Sequence, residues 1–104
     1  MASRSKRKGS YHENKVRDYL EASGFSTKKQ PLSGSLGGEY RGDLVTEIKG
    51  RRLVVEVKYR DTSGFPSPFT VLDQRDMAIY RRKQGEPKMI AIMDLDVLID
   101  LLCR

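Results

Sequence analysis

The apolar positions of this 104-residue chain change period along its length. Val16, Tyr19 and Leu20 recur at helical spacing, with Ala22 close by. Ser10 stands where a cap would sit and Glu13 falls at the third helical position, which makes a capping box. Gly24 occupies the usual place just past a helix end. This spacing predicts a helix over 11–23, then a short strand over 25–29. Residues 1–10 (MASRSKRKGS) read as a flexible basic arm ahead of it.

From residue 43 the period drops to two. Residues 43–48 read as a strand, Lys49-Gly50 as a tight turn and residues 51–59 as a second strand. Leu53, Val55 and Val57 alternate with Val54, Glu56 and Lys58, so Glu56 and Lys58 leave one face of the strand together. Beyond the loop at 61–68, a short helix over 69–74 and a hairpin of 77–82 with 88–93 are expected. A closing helix over 94–102 has Asp94 as its cap. The order is α-β-β-β-α-β-β-α, an α/β class with a mixed sheet flanked by helices. Length allows one domain, residues 1–104, with a thin core.

The stretch between the two patterns, residues 31–42 (PLSGSLGGEYRG), is rich in glycine and serine. It reads as a mobile loop of the kind that carries binding chemistry on a rigid scaffold. Composition then narrows the partner. The net charge is +6 and the pI about 9.6, which favours a polyanion, and nucleic acid is the obvious one. The single cysteine, Cys103, cannot form an internal disulfide, and no zinc-ligand spacing is present. That usage fits a reducing cytosol. No apolar run reaches the ~20 residues that span a bilayer, and the basic N-terminus lacks the apolar stretch of a signal peptide.

The chemistry concentrates between Gly42 and Lys58: G-D-L, then E-V-K on the next strand. A hairpin turning at Lys49-Gly50 brings Asp43 near Glu56. Two carboxylates and an ammonium then meet at one end of the sheet. Mg²⁺ is a hard cation satisfied by one or two carboxylates and several waters. It activates water and offsets charge on a phosphodiester. Lys58 can orient or deprotonate that water or stabilise the phosphate charge. Each piece alone is ordinary on a half-exposed strand. Their combination in a basic chain points to a nuclease.

These residues resemble the archaeal Holliday-junction resolvases of the PD-(D/E)xK nuclease superfamily, and the short phage-encoded resolvases related to them. The matching pieces are R-K-G-S followed by Glu13 on the first helix, G-F at 24–25, S-G-S at 33–35, G-D-L at 42–44 and V-E-V-K-Y-R at 55–60. The resemblance implies a restriction-endonuclease-like core, Mg²⁺ or Mn²⁺ held by Asp43, Glu56 and Glu13, and Lys58 as the catalytic lysine. It matches Ser33, with Ser35 as a substitute, to a serine near the scissile phosphate, and Gln74 to a glutamine found after the lysine. It further implies branched DNA as substrate and a cytoplasmic homodimer cutting two strands. Lys6, Arg7, Lys8, Lys28, Lys29, Arg41, Arg60, Arg81 and Arg82 are the candidate phosphate contacts. The superfamily's proline is replaced by Gly42, and the C-terminal half is shorter than in the archaeal enzymes. The same residues also fit a nuclease or nickase for other DNA, or a DNA-binding protein without catalysis.

Overall fold

The computed structural model describes the backbone of residues 4–30, 43–82 and 88–104, with side chains from Tyr11 onward. Eight elements follow in the expected order. They are α1 (Arg4–Ala22), β1 (Thr27–Lys29), β2 (Leu44–Ile48), β3 (Arg51–Arg60), α2 (Pro68–Val71), β4 (Met77–Arg82), β5 (Met89–Met93) and α3 (Leu95–Cys103). The strands form one mixed sheet in the order β1-β2-β3-β4-β5. Only β3 and β4 run parallel, and the segment carrying α2 joins them; the other neighbours are antiparallel.

Three boundaries differ from the sequence reading by two residues or more: β1 begins at Thr27, α2 ends at Val71 and leaves Gln74 in a turn, and the start of α1 moves furthest. α1 begins at Arg4, so the backbone of the basic segment is helical from that point and Ser10 lies inside the helix. Ser10 is therefore no cap, and the capping role for Glu13 falls with it. The apolar period starts only where the helix meets the sheet, so the pattern carried no signal for the turns before it. The C-terminal end agrees. Gly24 has φ 99°, the Phe25 N–H donates to the Leu20 carbonyl (3.0 Å) and the Gly24 N–H to the Glu21 carbonyl (3.0 Å). This is a Schellman termination, which a β-carbon at Gly24 would strain.

The two-residue turn at Lys49-Gly50 is as expected. Ile48 pairs with Arg51, and both turn residues have positive φ, 51° and 80°. The register that follows sets Leu44 opposite Val55, which puts Asp43, one residue before the strand, opposite Glu56.

The two faces of the sheet bury different amounts of surface. Val16 of α1 packs with Leu44, Val55, Met77 and Ile79, while Val97 and Leu101 of α3 pack on Leu53. Leu44, Leu53 and Val55 are fully buried, each contributing about 1.5–3 kcal/mol. Among the described residues the other face is covered by α2, whose Val71 packs on Ala78 and Tyr80, with Phe65 and Leu72 beside it. The rest of that face carries Glu56, Lys58, Arg60 and Arg82.

Candidate active site

β3 outruns its partner. Its ladder with β2 ends at Val55, while the ladder with β4 continues to Arg60. The edge from Glu56 onward is left without strand β2, and Asp43 fills the gap. Its backbone N–H donates to the Val55 carbonyl (2.8 Å), and its Oδ2 accepts the Val57 N–H (2.8 Å). The carboxylate thus continues the ladder by one rung and is fixed between Glu56 and Lys58. Asp76 does the same at the start of β4, exchanging two hydrogen bonds with Val54 (2.8 Å each).

Glu56 is buried among charged partners. Lys58 Nζ lies 3.3 Å from its Oε2, and Arg75 Nε lies 2.8 Å from its Oε1. The Arg75 contact is an ion pair without an aligned N–H···O hydrogen bond. Arg75 is held to the end of α2 by the carbonyls of Val71 (3.2 Å) and Asp73 (3.1 Å). Glu13 reaches the same place from α1, with Lys29 Nζ at 3.9 Å.

The electrostatics tie the three carboxylates together. Burial pushes the Asp43 carboxyl up to about 7. The Glu56 and Glu13 carboxylates add to the rise, while the Val57 N–H and the Lys58 ammonium oppose it. Burial also raises Glu13 above its ordinary value, and the Glu56 carboxylate adds to that. The Lys29 ammonium and a hydrogen bond with Asp43 pull the other way. Three acidic groups brought this close are in conflict unless a proton or a cation joins them.

That donor set fits a hard divalent cation. Asp43 and Glu56 would supply oxygen ligands, with Glu13 beside them and water completing the shell. Among the described residues no three acidic, histidine or cysteine groups already stand in a ready-made metal cluster. Ion pairs engage two of the carboxylates, Glu56 with Arg75 and Lys58, and Glu13 with Lys29.

The family model for the archaeal Holliday junction resolvase (Hjc) matches residues 4–94. The chain belongs to that family. It is a nuclease family, and the fold is the restriction-endonuclease-like one expected from the resemblance. A solved bacterial homing endonuclease, I-Ssp6803I, superimposes with a TM-score of 0.63 at 22% identity, over 91% of this chain and 68% of that one. At that identity the likeness speaks for the fold. No curated protein matches the chain.

Within this resolvase-family chain the expected site residues divide. Glu13, Asp43, Glu56 and Lys58 come together. Ser33, Ser35 and Arg41 lie outside the described residues, as do the side chains of Lys6, Arg7 and Lys8. Lys28 is exposed on β1, and Lys29 is half-buried beside Glu13. Arg60 lines a cleft of about 210 Å³ with Glu56, Lys58, Pro66, Thr70, Val71 and Arg75. Arg81 turns to the opposite face and meets His12 Nδ1 at 2.8 Å. Gln74 is exposed in a turn at φ 60°, and its neighbour Arg75 is the side chain that reaches Glu56. Sequence reasoning missed Arg75, because a cation in a short polar run (D-Q-R-D) carries no period that tells which way it turns.

Proposed function

We propose that this chain is a divalent-metal-dependent endonuclease that resolves four-way DNA junctions by hydrolysing two phosphodiesters in a pair. The observation that carries the reading is the convergence of Asp43, Glu13 and Glu56 with Lys58 where β3 outruns β2. Asp43 and Glu56 hold the cation, with Glu13 beside them. Mg²⁺, or Mn²⁺ in its stead, supplies water activation and offsets charge on the phosphate. Lys58 holds a positive charge beside the reacting phosphate. In the reaction water oxygen bonds to phosphorus, a bridging P–O bond breaks, and the leaving oxygen takes a proton.

The net charge of +6 suits a DNA partner. Arg60 and Arg75, lining the cleft with Lys58, are suited to hold the strand by its phosphates. Paired cutting needs two sites, which a two-fold homodimer supplies. In support, α3 carries Leu95, Ile99 and Leu102 on exposed positions in addition to its buried Val97 and Leu101. An enzyme of this kind works in the cytoplasm, where the DNA is; no helix among the described residues is long and apolar enough to cross a membrane.

The test is cleavage of a labelled four-way junction beside a linear duplex of matched sequence, with Mg²⁺ and with EDTA. Metal-dependent paired nicks confined to the junction support the reading. Equal cutting of both substrates keeps the nuclease and discards the resolvase. Tight binding without cutting in any divalent metal discards catalysis.

A further inference from the structure

His12 is a buried polar side chain with no part in the reaction so far. It is 6% exposed, and with Val16, one turn further along, it makes the buried side of α1. The imidazole is held from three directions. It stacks face to face on the Tyr59 ring, with centroids 3.8 Å apart and an interplanar angle of 16°. The Tyr11 ring meets it edge-on at 5.1 Å. Its Nδ1 lies 2.8 Å from Arg81 Nη1, and because a guanidinium can only donate, Nδ1 is the acceptor.

The register shows what this cluster grips. Tyr59 is opposite Arg81 across β3 and β4, on the sheet face that packs against α1. Tyr59 directly follows Lys58, whose side chain leaves the other face beside Glu56. This stretch of β3 lies where β2 no longer pairs with it. On α1, His12 directly precedes Glu13. Val16 and Leu20, which join α1 to the apolar core, both lie on the C-terminal side of Glu13. Among the described residues His12 is therefore the buried anchor on its N-terminal side. The contacts of Glu13 are with other side chains, Lys29 Nζ at 3.9 Å and the Asp43 carboxyl, so its place depends on where the helix stands. Stacking sets the depth of the His12 ring, and the bond to Arg81 stops it from sliding across Tyr59.

We propose that His12 is a positioning residue for cleavage: clamped between Tyr59 and Arg81, it fixes α1 along β3 and so holds Glu13 at the cation site formed by Asp43 and Glu56. This role rests on the nuclease reading above and adds a residue to it. An apolar side chain of the same size would fill the space and leave the Arg81 guanidinium without its acceptor.

The test uses the full-length protein and reads Mn²⁺ affinity by calorimetry and junction cleavage as kcat and KM. The variants are His12→Ala, His12→Phe and Arg81→Met, each alone and with Glu13→Gln. His12→Ala is expected to weaken Mn²⁺ binding and lower kcat by about 10–100-fold, the usual effect of losing a residue that orients a metal ligand. KM for the junction should stay within about twofold, because no DNA contact is removed. His12→Phe keeps the stack but not the acceptor, and Arg81→Met removes the donor. Both should show the same signature at about threefold to tenfold, the worth of one hydrogen bond. In the Glu13→Gln background each change should cost less than about twofold more, because the group acted through is gone. Mn²⁺ affinity keeps that comparison measurable where Glu13→Gln leaves too little cleavage to time. Equal losses in the two backgrounds would mean that His12 only supports the fold, and they overturn the positioning role. Wild-type Mn²⁺ affinity and kcat in His12→Phe and Arg81→Met overturn it as well, and these two carry the test if melting curves show His12→Ala unfolded. If Glu13→Gln alone changes neither Mn²⁺ affinity nor cleavage, His12 has nothing to act through and its role falls while the nuclease reading stands. If the wild-type protein neither binds Mn²⁺ nor cuts DNA, both fall.

Discussion

The Asp43 carboxylate accepts the backbone N–H of Val57, 2.8 Å away, on the strand that carries Glu56 and Lys58 one residue to either side. This bond orders the candidate site. It holds an acidic side chain at the point where the sheet loses a strand, and it satisfies a donor that the missing strand leaves over. The same carboxylate is buried beside two others, so its charged form is disfavoured and ready for a cation.

Removing the carboxylate charges should stop catalysis and spare binding. Asp43→Asn and Glu56→Gln are each expected to lower junction cleavage by at least about a hundredfold. DNA affinity should stay the same or rise, because each change deletes a negative charge near the phosphates. Cleavage rates and filter binding, taken on the same preparations, check this. Normal turnover in either variant removes that residue from the site.

Acidity should tune the stability of the metal-free protein in a defined direction. The folded pKa of Asp43 is raised from 3.8 to about 7, so the folded state holds that proton more tightly than the unfolded chain does. The resulting stabilisation is fully present below about pH 4 and is lost as pH rises through about 7. Glu13 shifts in the same direction. Metal-free protein should therefore lose roughly 2–3 kcal/mol between about pH 5 and pH 8, read by urea unfolding. Asp43→Asn should flatten much of that slope, and added Mg²⁺ should oppose the loss by binding the ionised form. A flat profile in wild type would contradict the carboxylate cluster.

Arg75 competes with a cation for Glu56. The guanidinium lies 2.8 Å from Oε1 and is fixed by two backbone carbonyls. Arg75→Ala should tighten Mn²⁺ binding by roughly threefold to tenfold in calorimetry, since a neighbouring positive charge is gone. If Arg75 also touches a phosphate, the salt slope of DNA binding should fall by about one. Weaker Mn²⁺ binding in the variant would mean that Arg75 organises Glu56 for the metal.

The hairpin that aligns Asp43 with Glu56 contains a strained residue. Lys49 adopts φ 51° ahead of Gly50. Asn is preferred over Lys at the first position of such a turn. Lys49→Asn should stabilise the protein by a few tenths to about 1 kcal/mol and leave the register unchanged. Equilibrium unfolding measures the gain, and a loss of stability would show that Lys49 has contacts worth more than its strain.

Much of this was already legible in the chain itself. Period-two alternation in L-V-V-E-V-K settled β3 and its faces, Lys49-Gly50 settled the turn, and the turn brought Asp43 into the neighbourhood of Glu56. Those features are local: a strand's side chains alternate and a two-residue loop admits one register, so neighbours in sequence fix neighbours in space. Tertiary structure alone decided what crosses between elements. It brought Glu13 in from α1 and turned Arg75, not Gln74, toward Glu56. It sent Arg81 and Arg82 to opposite faces and stacked Phe65 on Tyr80. The reason is physical. The direction of a charged side chain at the end of a short helix, or of a loop phenylalanine, is set by which partners burial brings within reach, and those partners lie far away in sequence.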